Sequence, residues 1–350
     1  MPSGDAPITV SLRGLRAWAQ EAHVPFTGSL RAERLQGGRS NEVLVVEDAM
    51  GPKVILRRPP EGSSGGLGRQ TTREQVVLSA LARAGLPVPR SYGLFWDPLQ
   101  PDSPYHVLGY TEGVVLQGEA DVQHLDAAAM LDIGGQFAEA AASLHAIDPE
   151  SIGLGQISRR TDLPQRLMSR WRTEWEVGPT PVTGLANEVL DLLASRNPGQ
   201  ARVRLLHGDL RLSNIVFDPD GRLLTILDWE LVTLGDPRVD LGFMLLNWCE
   251  DGEEPVFRGE TVTRAAGFPD RAALMASYSS ASGTEPERLG YFHALACWRL
   301  ASQLLFLMKR DAAPAERAEQ EDHMDAITLL IERAHLLLTH RLGSESDDVL

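Results

Sequence analysis

The chain has 350 residues, a length that suits two or three domains of roughly 150 residues each. Hydrophobic residues make up 43% and charged residues 23%, which is typical of a globular protein that buries a sizeable core. With 48 acidic against 33 basic residues, the net charge of −15 argues against a sequence-independent grip on nucleic acid or on an anionic membrane surface, because both require a positive face.

Cysteine content and the N-terminal segment indicate the compartment. Cys249 and Cys297 are too few for a disulfide scaffold or a four-cysteine zinc site, which favours a reducing cytosol. The opening segment MPSGDAPITV lacks the basic start and apolar run of a signal peptide, and no stretch approaches the ~20 apolar residues that span a bilayer. The sequence therefore predicts a soluble cytoplasmic protein without a membrane or nucleic-acid partner.

The first 112 residues are predicted to form a small lobe in which strands surround one inserted helix, a mixed α+β arrangement. Hydrophobic periodicity and turn residues define its elements. In chain order these are a helix at 9–22, strands at 42–47 and 53–57, a Gly/Ser/Pro-rich loop at 59–68, a helix at 71–84, a strand at Val88 and a strand at 105–110.

Beyond Gly113 the pattern becomes mainly helical. Helices are predicted at 125–147, 162–177 and 183–196, and again from Asp240 onward. A β-hairpin interrupts them, because an Asp-Gly turn at 218–221 separates the apolar runs 215–217 and 223–227.

The segment from 205 to 240, LLHGDLRLSNIVFDPDGRLLTILDWELVTLGDPRVD, carries the strongest chemical signal. Phosphoryl transfer needs a carboxylate that orients a hydroxyl and accepts its proton, together with hard oxygen ligands for Mg²⁺. Asp209 and Asn214 supply such a base and an amide ligand from one loop, and Asp228, after the second hairpin strand, completes a metal site. This order is the catalytic logic of protein kinases, with His-Gly-Asp at 207–209 where kinases carry His-Arg-Asp.

On these residues the sequence resembles the aminoglycoside phosphotransferase and choline kinase-like family of small-molecule kinases. The strings HGDLRLSN and DWELVTLGDPRVDL are most similar to the branch associated with acyl-CoA dehydrogenases, and the likeness extends from about Leu35 to the helix after Asp240. The resemblance implies a bilobal, protein kinase-like α+β fold. Its small β-rich lobe (1–112) would bind the nucleotide, its larger helical lobe (113–350) would carry catalysis and substrate binding, and ATP would lie between them.

The same resemblance assigns roles to individual side chains. It makes Asp209 the catalytic base and Asn214 and Asp228 the Mg²⁺ ligands. Asp236 and Asp240, in GDPRVD, correspond to structural acids beneath the site. Of their neighbours, His207 is expected to be a structural hydrogen-bonding residue, and Glu230 is expected to lie behind the direct metal ligands.

A phosphate-binding loop is expected before the strand that starts at Glu42. The segment LQGGRSN (35–41) resembles the glycine-rich loop of the family, and Gly37, Gly38, Ser40 and Asn41 are its candidate nucleotide-binding residues. The absence of a Cβ at the two glycines lets backbone N–H groups approach phosphate oxygens closely.

A strand cation and a helix carboxylate are expected to complete the grip on the phosphates. Arg57 is preferred to Lys53 on the same strand face because LRRPP resembles the acyl-CoA-dehydrogenase-associated branch, although most kinases carry Lys there. Glu74 is the matching carboxylate; as an alternative, it is a first-turn acid favoured by the helix dipole. Residues 105–112 resemble the hinge that binds adenine, with Tyr110 as a candidate contact.

Two competing patterns and one alternative function are weaker. Residues 62–66 (GSSGG) match the nucleophile elbow G-x-S-x-G, but no hydrophobic strand precedes them, so a serine hydrolase using Ser64 is the lesser alternative. His293 and Cys297 are four residues apart on an apolar helix, where core packing is favoured over metal binding. Retention of the Asp209, Asn214 and Asp228 set argues against a nucleotide-binding pseudokinase.

The prediction is an ATP- and Mg²⁺-dependent phosphotransferase that moves the γ-phosphate to a hydroxyl group of a small molecule. An aminoglycoside, as a polycation, would suit the acidic run at 250–254 (EDGEE), and macrolides or other antibiotics are further candidates. The resemblance also points to a hydroxylated acyl compound. If that compound is a CoA thioester, Arg170, Arg172 or Arg211 would contact its phosphates.

Overall fold

The computed structural model describes residues 10–35, 41–59, 67–158, 162–176, 180–256, 261–310 and 317–339. The chain divides into two compact units. One comprises residues 1–112 together with Leu224–Glu230, and the other comprises residues 113–223 and 231–350. The sequence analysis assigned 224–230 to the C-terminal lobe, whereas the structure groups this segment with the first unit.

Antiparallel pairing builds the first unit around a five-stranded sheet of order β1-β2-β3-β5-β4. Its elements in chain order are α1 (Leu12–Glu21), β1 (Arg31–Arg34), β2 (Glu42–Asp48), β3 (Gly51–Arg58), α2 (Leu67–Arg83), β4 (Ser91–Phe95) and β5 (Tyr105–Gly109). The period-two alternation of β3 buries Val54 and Leu56 on one face and turns Lys53, Ile55 and Arg57 to the other. In the register of the sheet, Arg57 faces Val43 of β2 and His106 of β5.

Two features of this unit differ from the sequence prediction. The strand expected at Val88 begins at Ser91 instead, because Pro87 and Pro89 flank Val88 and cannot donate to a ladder. The segment 224–230 is tied to the unit by the Ile226 N–H, which donates to the Pro87 carbonyl at 2.7 Å. No local sequence pattern encodes that pairing, since the two residues are far apart in the chain.

The second unit is mainly helical and contains short strands around the segment 204–235. Its elements are β6 (Val114–Val115), α3 (Ala127–Ala146), α4 (Leu163–Glu176), α5 (Thr183–Ser195), β7 (Arg204–Leu206), β8 (Ile215–Phe217), β9 (Leu223–Ile226, which runs into the segment of the first unit), β10 (Thr233–Gly235), α6 (Arg238–Leu246), α7 (Arg271–Ser282), α8 (Leu289–Arg310) and α9 (Arg317–Thr339). Strand β7 pairs antiparallel with β10, and β6 pairs antiparallel with β8.

Helix α8 supplies much of the core of this unit. Phe292, Cys297 and Trp298 are fully buried in one apolar cluster that also contains Trp171 and Trp175 of α4. The indole N–H of Trp175 donates to Ser302 Oγ at 2.8 Å, which satisfies its polar atom within the core. The tryptophan pair and Cys297 therefore serve packing.

No helix in the described ranges is both long enough and apolar enough to cross a membrane.

Candidate active site

The loop His207–Asp209 leaves the end of β7 and is held from below by Asp240, near the start of α6. The Asp240 carboxylate accepts the backbone N–H of His207 at 2.7 Å and that of Gly208 at 2.9 Å. Its side chain is 1% exposed. Because a buried carboxylate that accepts two backbone donors has little freedom to move, the backbone of the loop is fixed at two successive peptides.

A buried polar chain extends from Asp240 to α3 and α7. His145 Nε2 lies 3.3 Å from Asp240 Oδ2, and His145 Nδ1 lies 3.0 Å from the hydroxyl oxygen of Tyr278. Burial acts to raise the pKa of the Asp240 carboxyl, but hydrogen bonding and positive charge from His145, together with the Gly208 N–H, lower it below its ordinary value. Asp240 is therefore held as the carboxylate that the loop requires. Asp236, the other predicted structural acid, accepts the Ala201 N–H at 2.8 Å.

Asp209 and Asn214 form the pair that the sequence spacing predicts. The Asn214 side-chain nitrogen donates to Asp209 Oδ2 at 2.9 Å and to the Asp209 carbonyl at 2.8 Å. Only the nitrogen of an amide can donate to two oxygens, so these two bonds leave the Asn214 amide oxygen unused. Burial raises the pKa of Asp209, against the lowering effects of Arg211 and Asn214.

Gly208 lies between His207 and Asp209, and its conformation excludes larger side chains. Its φ is +87°, and a Cβ placed on it would lie 2.6 Å from the Leu231 carbonyl oxygen. An arginine, which protein kinases carry at this point of their His-Arg-Asp motif, would not fit here without displacing backbone. The glycine is thus a geometric requirement of this loop.

We expect the Gly208→Ala substitution to destabilise the protein by more than its backbone angle alone explains. A matched control is Gly153→Ala, since Gly153 has a φ of +78° and no atom lies within 4 Å of its Cβ position. The control should lose about 1–2 kcal/mol of unfolding free energy. Gly208→Ala should lose roughly 1–3 kcal/mol more, because the methyl group meets backbone. Urea denaturation measures both, and equal losses would refute the steric argument.

A second set of candidate residues surrounds Arg57 at the end of β3. The Arg57 guanidinium donates to Glu74 at 2.9 Å, to Asp228 at 2.6 Å and to Glu230 at 3.0 Å. Its side chain is only 13% exposed. Burial opposes the charge of Arg57, but the carboxylates of Glu74, Asp228 and Glu230 outweigh that effect and raise its pKa. One planar cation thereby joins three carboxylates from two segments, α2 and 224–230, which a lysine ammonium on the same strand would not match.

Asp228 adopts an unusual backbone conformation directly after β9. Its φ is +62°, a left-handed value that costs a non-glycine residue roughly 1–3 kcal/mol and that concentrates at functional sites. The surrounding bonds maintain it, because Arg57 holds the carboxylate at 2.6 Å. Burial and the neighbouring charge of Asp228 raise the pKa of Glu230, whose carboxylate also accepts the Asn41 side-chain N–H at 2.7 Å.

The structure thus brings the predicted residues together in two groups. Asn41, Arg57, Glu74 and Asp228 meet in the first unit, joined by Glu230, which the sequence analysis placed behind the metal ligands. Asp209 and Asn214 meet in the second unit. In the described parts of the chain, no group of three or more His, Cys, Asp or Glu side chains is arranged to hold a metal ion.

Other predicted residues are not drawn into these groups. Gly37, Gly38, Ser40 and the Ser64 of the alternative hydrolase motif lie outside the described residues. Tyr110 is 40% exposed, and its backbone N–H donates to the Lys53 carbonyl at 3.0 Å. The N–H at this position is therefore already bonded within the sheet.

Sequence reasoning missed one residue that contacts the catalytic loop. Arg299 of α8 donates from its guanidinium to the Gly208 carbonyl at 2.7 Å. The available signal was a lone arginine in the otherwise apolar run ALACWRLASQLLFL, where a buried charge needs a specific partner.

An α+β fold with a strand arginine paired to a helix glutamate is combined here with an Asp–Asn pair in the loop after a short strand. This is the arrangement of the kinase-type phosphotransferases. The model of the phosphotransferase enzyme family matches residues 31–276, more than half of the chain. The chain belongs to that family, and the predicted resemblance and the protein kinase-like fold are confirmed.

Individual relatives agree with this assignment. The chain is 26% identical over 289 residues to mouse acyl-CoA dehydrogenase family member 10, covering 81% of this chain and 27% of that protein. It therefore spans only about a quarter of that relative's length. A solved structure from Ralstonia eutropha, assigned to the aminoglycoside phosphotransferases, is 25% identical with a TM-score of 0.79, covering 95% of this chain and 99% of that one.

The GDP complex of wild-type aminoglycoside 2′-phosphotransferase-IIIa shares the fold. Its TM-score is 0.62 at 16% identity, and the similarity covers 93% of this chain and 98% of that one.

Proposed function

We propose that this protein transfers the γ-phosphate of ATP, in the presence of Mg²⁺, to a hydroxyl group of a small-molecule acceptor. The observation that carries the proposal is the Asp209–Asn214 pair on a loop whose backbone is anchored by a buried carboxylate. A solved phosphotransferase of similar fold was obtained with a bound guanine nucleotide, which supports a nucleotide as the phosphate donor.

In this function, Asp209 orients the acceptor hydroxyl and accepts its proton during attack on the γ-phosphate. Arg57, held by Glu74, binds the nucleotide phosphates together with the loop residues Gly37, Gly38, Ser40 and Asn41. Tyr110, in the hinge, contacts the adenine. Most of the rate enhancement then comes from positioning and from fixed charges.

Asn214 and Asp228 suit a magnesium ion by their donor chemistry. An amide oxygen and a carboxylate oxygen are the hard ligands that Mg²⁺ takes, with the remaining positions filled by phosphate oxygens and water. Bound there, the ion would neutralise negative charge on the transferred phosphate. The strained φ of Asp228, at +62°, is consistent with a residue retained for its ligand position.

The structure bears on the choice of acceptor. The acidic run 250–254 was expected to suit a polycationic aminoglycoside. Two of its carboxylates, Glu250 and Glu253, already bind Arg271, with Glu253 Oε2 2.6 Å from the guanidinium. Arg211 Nε lies 3.7 Å from Asp209 Oδ1. Cationic surroundings at the base favour an acceptor that carries negative charge. We therefore favour a hydroxylated acyl compound, including its CoA thioester, over an antibiotic.

A direct screen tests the proposed function. The full chain is incubated with ATP and Mg²⁺ and with one acceptor at a time: a hydroxyacyl-CoA, the free hydroxy acid, kanamycin or a macrolide. ADP release and the mass of the phosphorylated product are measured, with Asp209→Asn as the background. A product heavier by one phosphate supports the proposal. Nucleotide binding without transfer to any acceptor would favour the pseudokinase instead.

The metal role of Asp228 makes a separate prediction. In the Asp228→Asn variant, affinity for Mg²⁺–ATP should fall roughly tenfold or more, because an amide is a weaker ligand than a carboxylate, whereas affinity for ATP with EDTA should change little. The matched control is Asp220→Asn, an exposed aspartate of the neighbouring hairpin turn. Calorimetric titration measures both affinities, and an unchanged affinity with Mg²⁺ present would contradict the ligand assignment.

A further inference from the structure

Arg299 is a buried cation aimed at the catalytic loop from a distant part of the chain. It lies in the middle of α8, is 7% exposed, and is 91 residues away in sequence from the glycine that it contacts. Its guanidinium donates to the Gly208 carbonyl at 2.7 Å and lies 5.3 Å from the ring centroid of Phe243. A charge buried to this extent is costly unless nearby groups compensate for it.

Two carboxylates of the loop region provide that compensation. Burial lowers the pKa of Arg299, and the negative charges of Asp209 and Asp240 act in the opposite direction. Apolar residues of the same helix, Trp298 and Ala301, are fully buried beside it. Arg299 therefore lies in an apolar helix, where it donates a hydrogen bond to the Gly208 carbonyl. The charges of Asp209 and Asp240 offset part of the cost of its burial.

The contact with Gly208 fixes the peptide group that directly precedes Asp209. The oxygen of this peptide accepts from Arg299, and its N–H, which belongs to Asp209, donates to His207 Nδ1 at 3.2 Å. On the other side of the glycine, the Gly208 N–H donates to Asp240 at 2.9 Å. Three bonds thus hold the two peptide groups around Gly208, just before Asp209, and Arg299 supplies the one on the Gly208 carbonyl.

The loop cannot carry a cation of its own at position 208. A Cβ there would lie 2.6 Å from the Leu231 carbonyl oxygen, and the φ of +87° disfavours any side chain. Helix α8 passes beneath the loop and presents Arg299 to the carbonyl at the glycine.

We propose that Arg299 is a positioning residue for Asp209, acting from α8 through its hydrogen bond to the Gly208 carbonyl. This inference rests on the proposed function, because it assumes that Asp209 is the base. It assigns a role in catalysis to a residue that lies beyond the 31–276 range of the family match.

The test compares Arg299→Gln and Arg299→Lys with Arg271→Gln. Arg271 is a matched control because it is a buried arginine of the same unit, 9% exposed, whose partners are Glu250 and Glu253. In Arg299→Gln we expect kcat to fall about 100-fold while KM for ATP and for the acceptor stay within about threefold, since a misplaced base slows the chemical step without removing binding contacts. Arg299→Lys should recover part of the lost kcat. A general loss of packing would instead lower kcat to a similar extent in Arg299→Gln and in Arg271→Gln.

Hydrogen exchange gives a readout that does not depend on activity. Amide exchange in a peptide covering 205–214 should be faster in Arg299→Gln than in the wild type, and unchanged in Arg271→Gln, because Arg299 contacts the loop whereas Arg271 binds Glu250 and Glu253. If Arg299→Gln does not fold, Arg299→Lys carries the same comparison.

The outcomes separate this inference from the proposed function. Absence of transfer by the wild-type protein would refute the function, while the exchange measurement would still decide whether Arg299 anchors the loop. Transfer by the wild type with unaltered kcat and unaltered exchange in Arg299→Gln would overturn the inference alone.

Discussion

Replacing Asp209 with asparagine is expected to lower kcat by about 10²–10⁴-fold, the contribution typical of a positioned general base. The replacement keeps the size of the side chain, and its oxygen can still accept the bond that Asn214 donates at 2.9 Å. Asparagine cannot accept the proton of the acceptor hydroxyl, so the loss falls on turnover, and affinity for ATP should stay within about threefold. Steady-state kinetics and calorimetric titration measure the two quantities.

The matched control for this prediction is Glu139→Gln. Glu139 is an exposed carboxylate on α3 of the same unit, and its neutralisation changes net charge by the same amount. The control should retain wild-type kcat. Equal turnover by Asp209→Asn and the wild-type protein would show that another group accepts the proton, and would remove the main support for the reaction as proposed.

The second large effect is expected at Arg57. Replacing it with methionine keeps an unbranched side chain but leaves Glu74, Asp228 and Glu230 without their shared cation. Removing one partner from a buried ion pair costs about 3–5 kcal/mol, because the remaining charge is left buried and uncompensated. We expect a loss of unfolding free energy of this size at neutral pH, measured by urea denaturation.

The pH dependence of this loss has a definite sign. Burial and the charge of Asp228 raise the pKa of Glu230, and Arg57 acts in the opposite direction, so loss of Arg57 raises this pKa further. A carboxyl whose pKa is raised by folding opposes folding when it ionises. The part of the Arg57→Met deficit that comes from Glu230 should therefore be fully present above its raised pKa, and should shrink as the pH falls through that pKa and Glu230 becomes protonated.

An exposed ion pair supplies the control for Arg57. Arg172 and Glu176 are paired at 3.3 Å with side chains 66% and 59% exposed. Because solvent screens such a pair, Arg172→Met should change the unfolding free energy by less than about 1 kcal/mol. A loss in Arg57→Met no larger than in this control would mean that the three carboxylates do not depend on the arginine.

Much of the candidate site could be predicted because its signals are local. Alternation along β3 places Arg57 opposite the buried face that holds Val54 and Leu56, and the spacing of Asp209 and Asn214 on one loop allows their side chains to meet. Turn chemistry at Asp218–Gly221 predicts the hairpin that leads to Asp228. Each of these inferences concerns residues within about ten positions of one another, where backbone geometry limits the possible arrangements.

Other parts of the site depend on contacts between residues far apart in sequence. Glu230 contacts Arg57, which is 173 residues away in sequence. Arg299 contacts Gly208, which is 91 residues away. The grouping of 224–230 with the first unit is of the same kind. Periodicity and turn residues carry no information about such pairs.

The amino-acid order alone was sufficient for the family, because Asp209, Asn214 and Asp228 lie on adjoining short segments whose spacing carries the resemblance. The sequence analysis paired Arg57 with Glu74, but that Asp228 and Glu230 share the same guanidinium followed only from the folded chain. Ion pairing in a buried site is set by distance and desolvation, and these quantities exist only once remote segments have packed together.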